Sequence, residues 1–330
     1  KGVDGILSSH FNQSCLKCHA TGYDTQADND GFDDFPFVFP TSLVPGTYNQ
    51  YLTLYPDAMA RANVQCEACH GPGSNHLALI DNSKIDVTLS SDVCAYCHKE
   101  GSHHNIPLQW DESVHAAETH LYSGSSRYSC TPCHNGQGFV EFTKGDPQSA
   151  QVNIPITCAT CHDPHDATNL HQVRIVTATL KNGQAVNNAG LGGLCINCHQ
   201  SRSNAIPYVD NYLSNLTRFG PHHGPQGDML IGTNAYTWGE TLDQSPHFAA
   251  IENSCIGCHM YQNATPLNPE TSVGGHTFSM VNGLGEDNVA ACTDCHGNVG
   301  TDFDQKKIYI KGSADLDKNG VAEGLQIEIE

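Results

Sequence analysis

Apolar and polar positions alternate along one stretch of the chain. Val173, Ile175, Thr177 and Thr179 keep a two-residue period, Asn182-Gly183 follows, and Ala185 and Val186 resume the apolar run. Alternation that meets an Asn-Gly pair predicts an antiparallel β-hairpin. Helical patterning is brief. Pro56 to Val64 opens with proline at a first-turn position and continues with Asp57, Ala58, Met59, Ala60 and Ala62, which predicts a short helix. Asp111 to Leu121 predicts a second, and Ile308-Tyr309-Ile310 a terminal strand. The remainder keeps no sustained period. No apolar run approaches the length that spans a bilayer. The pattern predicts mostly coil with short α-helices and minor β-hairpins.

A chain of 330 residues would ordinarily fold as two or three domains around side-chain cores, yet only 38% of this one is hydrophobic. The cysteines change that picture. All sixteen fall into eight copies of Cys-x-x-Cys-His: Cys15/Cys18, Cys66/Cys69, Cys94/Cys97, Cys130/Cys133, Cys158/Cys161, Cys195/Cys198, Cys255/Cys258 and Cys292/Cys295. The fifth residues are His19, His70, His98, His134, His162, His199, His259 and His296. This unit attaches c-type haem: two thiols add across the vinyl groups and the histidine binds iron from the proximal side. Zinc ribbons use Cys-x-x-Cys halves without needing the histidine, a redox pair would occur once, and a disulfide scaffold would not enforce it. The reading is eight covalently bound haems c.

Eight motifs in 330 residues leave about forty residues apiece, too few for a domain each. The expected fold class is therefore a haem-dominated multihaem cytochrome, with residues 1–330 forming a single haem-organised unit and 312–330 a tail. The shortest motif intervals, 28 residues, mark Cys66/Cys94 and Cys130/Cys158 as motif pairs expected to lie close. Each motif should sit on a single helical turn that sets its histidine beside the thioethers.

Function turns on the sixth iron position. Twelve histidines lie outside the motifs. His10, His76, His247 and His276 stand alone; His103/His104, His115/His120, His165/His171 and His222/His223 form four close pairs. Twelve histidines thus make eight clusters for eight irons. The candidate distal ligands are His10, His76, His104, His115, His165, His222, His223, His247 and His276, with the choice within each pair left open. Of the four methionines, Met260 follows His259 directly and cannot easily reach the far face of the same iron. Bis-histidine ligation leaves no place for substrate and gives low potentials, so electron transfer is expected rather than catalysis.

A formal charge of −20 argues against nucleic acid and anionic membrane surfaces as partners. Covalent haem c is assembled outside the cytoplasm, so the chain is expected to be exported: extracellular or at the cell surface, with the periplasm as the alternative. Asp315-x-Asp317-x-Asn319-Gly320 matches the first half of a calcium loop, with Glu323 at position nine, but position twelve is Gln326 where a bidentate Glu belongs. Calcium is a secondary expectation there, weaker still at Asp24 to Asp34.

The sequence resembles the multihaem c-type cytochromes of anaerobic respiration. Cys66-Glu-Ala-Cys-His-Gly-Pro-Gly-Ser-Asn-His76 is similar to a segment of the cytochrome c-554/octahaem reductase superfamily. Gly220-Pro-His-His-Gly-Pro-Gln226, Ser245-Pro-His247, Cys255-Ile-Gly-Cys-His-Met260 and Gly274-Gly-His276 also look typical of it. In such relatives a histidine trailing a motif ligates a different haem. The resemblance also extends to cell-surface cytochromes that polymerise into conductive filaments, with a histidine of one subunit completing a haem of the next. It implies long-range electron transfer as a filament subunit, acting with redox partner proteins or extracellular acceptors. His10 would then be a ligand at the subunit junction. The alternatives are an octahaem oxidoreductase of the nitrite, hydroxylamine or tetrathionate type with one open haem, and a monomeric periplasmic shuttle.

Overall fold

The structure, a computed structural model, describes residues 12–41, 44–79, 85–99, 105–169, 171–212, 220, 222, 224–262, 272–303, 315 and 318–321. Short helices and irregular chain dominate, with one two-stranded sheet among the described residues. Where the sequence reading has a single unit, backbone packing gathers the chain into two compact ones, Lys1–Glu100 and Gly101–Glu330. The first carries three motifs and the second five.

In the first unit an aromatic cluster replaces a regular core. Phe32 and Ala58 are buried, and Phe37 packs on Phe32, Tyr51 and Tyr55 with ring centroids 4.8–5.6 Å apart. Arg61 lies over the Phe35 ring at 4.0 Å, a cation–π contact that covers the cluster's edge. The helix expected from Pro56 forms over Pro56–Met59 and stops short of Val64. The chain then pairs Ala62 with Ala20 in an isolated bridge. Asn63 donates its N–H to the His19 carbonyl at 3.0 Å, so this strap joins the first motif directly to the second.

The second unit has the expected hairpin. Strand β1 (Ala178–Thr179) pairs antiparallel with β2 (Ala185–Val186), Ala178 opposite Val186. Gly183 sits at φ +88° and donates to the Leu180 carbonyl at 2.8 Å, while Leu180 donates to the Gln184 carbonyl at 2.9 Å. Left-handed backbone at that position is why glycine follows Asn182. The strands are shorter than the alternation. Val173, at its start, pairs instead with His162 in a separate bridge. The hairpin buries Ala178, Leu180 and Val186 against Ala189, Ile196, Ile231 and Phe248.

The helix expected over Asp111 to Leu121 is not there. A helix occupies Ile106–Asp111, and the following residues make successive turns. Trp110 explains the break. Its indole N–H donates to the Ile156 carbonyl at 2.7 Å, and its own carbonyl accepts from the Ser113 hydroxyl and N–H at 2.8 and 2.9 Å. A side chain competing for the helix's own carbonyls ends it, and the turns carry His115 inward. The segment 308–310 lies outside the described residues.

Candidate haem sites

Six motifs carry their histidine on a helical turn, as expected: Leu16–His19, Cys66–His70, Ser91–His98, Thr131–His134, Cys255–His259 and Thr293–His296; at the fifth and sixth the helices Cys158–Cys161 and Gly193–Ile196 end before the histidine. All sixteen cysteines are free thiols here, standing for the sulfurs that thioether bonds would use. They are not equally enclosed. Cys66, Cys69 and Cys295 are exposed, and the other thirteen are partly covered. Neither Cys66–His70 nor Thr293–His296 buries a residue of its own. Anchors wrapped alike by the chain, the simplest picture of a haem-organised unit, are therefore not what the second and eighth motifs present.

In the second unit the two variable residues root several motifs. Thr131, Thr160 and Ile196 are fully or almost fully buried. Asn197 donates to the Thr177 and Gly193 carbonyls, each at 2.9 Å. A Cβ on Gly193 would collide with the Val176 carbonyl. The hairpin and the sixth motif therefore form one packed piece.

Several motif imidazoles carry a hydrogen bond on the ring. His162 Nδ1 bonds the His171 carbonyl at 2.7 Å, His259 Nδ1 the Phe278 carbonyl at 3.0 Å, and His70 Nδ1 the Asp86 carbonyl. The His134 ring bonds the His120 carbonyl, and the His199 ring the Gln226 side chain. An acceptor at Nδ1 fixes the tautomer that leaves Nε2 with its lone pair, the form that binds metal.

Opposite four of these histidines stands a second imidazole. Ring centroids are 6.1 Å apart for His115 and His199, 5.9 Å for His134 and His222, 6.3 Å for His162 and His276, and 5.9 Å for His247 and His296. A metal–nitrogen bond of about 2.0–2.1 Å, plus about 1.1 Å from nitrogen to ring centre, taken twice, gives about 6.2 Å for two imidazoles on one metal. All four pairs meet that spacing, so the residues fit an iron held from both sides. Each joins a motif histidine to one from outside the motifs. Burial, with His199 adjacent, holds His115 down to about 4; burial, with His162 adjacent, does the same for His276. Neutral imidazole is the ligating form.

Within the close pairs the geometry separates roles that the sequence left open. His115 faces His199, while His120, at φ +61°, lends its carbonyl to His134. His171 likewise lends a carbonyl to His162, and His165 projects 78% exposed with Asp163 at 3.8 Å. His222 faces His134. His10, His103, His104 and His223 lie outside the described residues, and His76 lies on the helix Ser74–Leu79. Sequence reasoning did not single out Gln226, Phe278 or Asn197 for these roles. Gln226 had a signal, since it closes the Gly-Pro-His-His-Gly-Pro-Gln run; a backbone carbonyl has none.

Motifs also touch one another. Within the first unit, Cys97 Sγ is 4.0 Å from the Cys18 carbonyl. Within the second, the Cys133 thiol neighbours that of Cys198, and the Cys195 thiol that of Cys255. Cys133 Sγ lies 3.7 Å from the Asn197 carbonyl, and Cys198 Sγ 3.8 Å from that of Pro132. Burial and the neighbouring Cys292 push the Cys258 thiol up, with a smaller push from Cys295. These approaches join motifs distant in sequence, which the motif intervals alone do not indicate.

The acidic segments are turn-formers in what is described. Asp34 Oδ2 accepts from the Asn29 and Gly31 N–H groups at 2.8 and 3.0 Å, and Asp33 Oδ1 from Asp24 N–H at 2.9 Å. Asp315 Oδ2 accepts from Gly320 N–H at 3.0 Å. Asp317, Glu323 and Gln326 lie outside the described residues. Among the described residues no group of three or more His, Cys, Asp or Glu is gathered to hold a metal ion. None of their helices is long and apolar enough to cross a membrane.

No family model matches the chain. It is 25% identical over 221 residues to the multihaem cytochrome MtrA of Shewanella baltica, covering 61% of this chain and 56% of that protein. It is 25% identical over 274 residues to the c-type polyhaem cytochrome OmcB of Geobacter sulfurreducens, covering 66% and 34%. It is also 26% identical over 197 residues to the dissimilatory sulfite reductase MccA of Wolinella succinogenes, covering 60% and 22%. The chain thus spans about half or less of the length of the curated relatives it matches. Two solved structures align with it. The outer cell wall cytochrome OcwA gives a TM-score of 0.49 at 17% identity, covering 86% of this chain and 59% of that one. An undecahaem cytochrome from the S-layer of Carboxydothermus ferrireducens gives 0.48 at 22%, covering 88% and 44%.

Proposed function

We propose that this multihaem c-type cytochrome is a conductor: eight haems c, each closed by histidine on both faces, carry electrons through the protein without substrate turnover. The observation that carries this reading is the four imidazole pairs at 5.9–6.3 Å, each matching a proximal with a non-motif histidine. Bound haem would supply one-electron iron chemistry. The chain supplies the rest. Cysteines anchor each macrocycle; His19, His70, His98, His134, His162, His199, His259 and His296 ligate from one face. His222, His276, His115 and His247 ligate from the other at four sites of the second unit. Carbonyls and Gln226 hold the proximal rings, and their hydrogen bonds raise ligand basicity and lower potential. The neighbouring sulfurs of the fourth, sixth and seventh motifs support a path in which the sixth passes electrons between the other two.

The test is electron paramagnetic resonance of the oxidised protein with haem counted chemically. Eight low-spin haems are expected. A major high-spin population that binds cyanide or nitrite would overturn the conductor and favour an oxidoreductase with an open haem, the reading to which the match with a sulfite reductase points.

The finer reading is an exported subunit of an extracellular conductive filament, passing electrons to redox proteins or external acceptors. It is supported by the sequence resemblance and by the sequence matches to the multihaem cytochromes MtrA and OmcB. Electron microscopy of purified protein tests it: monodisperse particles at every concentration would leave a monomeric shuttle.

A further inference from the structure

Phe278 lies outside every motif, yet it touches one motif histidine and two histidines that each face another. Its ring stands edge-on to His115, with centroids 4.9 Å apart and planes at 88°, and edge-on to His276, at 5.7 Å and 66°. Those two imidazoles face His199 and His162 respectively. Its carbonyl accepts from His259 Nδ1 at 3.0 Å. The residue sits in left-handed backbone at φ +56°, a conformation that costs a bulky side chain free energy and persists only where surrounding structure imposes it. The imposing structure is visible. Gly275 and His276 pack on the helix Ile106–Asp111, with Gln109, 4% exposed, accepting the His276 N–H at 2.9 Å. The Thr277 hydroxyl donates to the Gly274 carbonyl at 2.8 Å. The turn therefore aims one ring between two imidazoles and one carbonyl at a third.

We infer that Phe278 is a positioning residue shared by three haem sites, its ring clamping the distal imidazoles His115 and His276 and its carbonyl orienting the proximal His259. The wedge also fixes ring angles. His115 and His199 are nearly perpendicular, at 89°, whereas the planes at the other three pairs differ by 38–57°. An imidazole pinned edge-on against a phenyl ring cannot turn about its iron bond without losing that contact. Each edge contact should favour the bound over the displaced imidazole by roughly 2- to 10-fold. The inference rests on the ligand assignment proposed above.

Phe278→Gly is the direct test, because glycine accepts the positive φ and keeps the carbonyl while removing only the ring. In the whole haem-loaded protein, carbon monoxide binding to the reduced form should rise roughly 2- to 10-fold at two haems per chain. The low-spin ferric signals of the same two should move, since these depend on the angle between the imidazole planes. Phe278→Tyr, which keeps the ring, should restore both readouts. If Phe278→Gly does not accumulate, Phe278→Leu fills the volume without an aromatic edge and should change the same two haems. Carbon monoxide binding and ferric signals that coincide with those of the parent would overturn the inference. So would a change spread evenly over all haems, which is general loosening. His115→Ala and His276→Ala separate the two layers. If neither creates high-spin haem, the ligand assignment falls and takes this inference with it. If both do while Phe278→Gly changes nothing, this inference alone falls.

Discussion

Replacing His115 and His120 one at a time asks the geometry to choose between histidines five positions apart. The His115 ring stands 6.1 Å from that of His199, against about 6.2 Å for two imidazoles sharing a metal. His120 lends a backbone carbonyl to His134, and its ring is not among those that face a motif imidazole at this spacing. In His115→Ala one haem of eight should lose its sixth ligand and turn high-spin, an eighth of the ferric signal. In His120→Ala the carbonyl survives and every haem should stay low-spin. Both cysteines of each motif remain in both variants, so the haem count should be unchanged, which separates ligand loss from cofactor loss. Stability should follow the same split. His115 also loses its edge contact with Phe278, and the emptied volume adds to that, for about 2–4 kcal/mol in all. His120→Ala should cost under about 1 kcal/mol. Low-temperature paramagnetic resonance with chemical haem quantitation decides it. High-spin haem from His120→Ala and none from His115→Ala would refute the reasoning.

Three further substitutions probe what supports the sites. Asn197→Ala strands the Thr177 and Gly193 carbonyls beneath the sixth motif and should cost about 1–3 kcal/mol, read as an earlier thermal transition. Gln226→Glu places a charged acceptor on the His199 ring. It should lower the midpoint potential of one haem and leave the others in place, measured by spectroelectrochemical titration. Glu141 is raised by burial but more strongly lowered by hydrogen bonds from Ser149 and Gln137, so its carboxyl titrates below the usual range. A depressed carboxylate stabilises the fold above its unfolded pKa and loses that contribution as pH falls through the folded value. Glu141→Gln should therefore cost about 1 kcal/mol at neutral pH, after discount for solvent, and nothing in strong acid. Urea melts at both pH values would show it, and an equal loss at both would contradict the assignment.

The most legible features were those written in local chemistry. Attachment motifs declare themselves by residue type, and the hairpin by alternation ending in Asn182-Gly183. The helix expected over Asp111 to Leu121 gives way to turns because Ser113 caps the Trp110 carbonyl locally while the Trp110 indole is held by the Ile156 carbonyl, a tertiary contact that propensity does not register. The histidine pairs were visible as pairs but not as roles: whether a histidine gives its ring or its carbonyl depends on backbone turns such as that of His120. Phe278 was invisible because neither an aromatic edge nor a carbonyl carries a motif. The variable positions inside the motifs held unread information too, since Ile196 and Asn197 bind the sixth motif to the hairpin. Nor does the repeated pentapeptide distinguish an enclosed anchor such as Cys198 from an exposed one such as Cys295, because burial is decided by what the turn packs against.

The packing of Ile196 has a bearing on how the protein is made. Once Ile196 is buried beneath the hairpin and Gly193 lies against Val176, the Cys195–His199 turn has no slack to open. On the proposed attachment, a macrocycle would be joined to Cys195 and Cys198 while this stretch is still extended. Cys66, Cys69 and Cys295 are exposed on their turns and impose no such deadline. On that reading maturation takes a timetable from the core, with the sixth attachment preceding closure of β1 on β2.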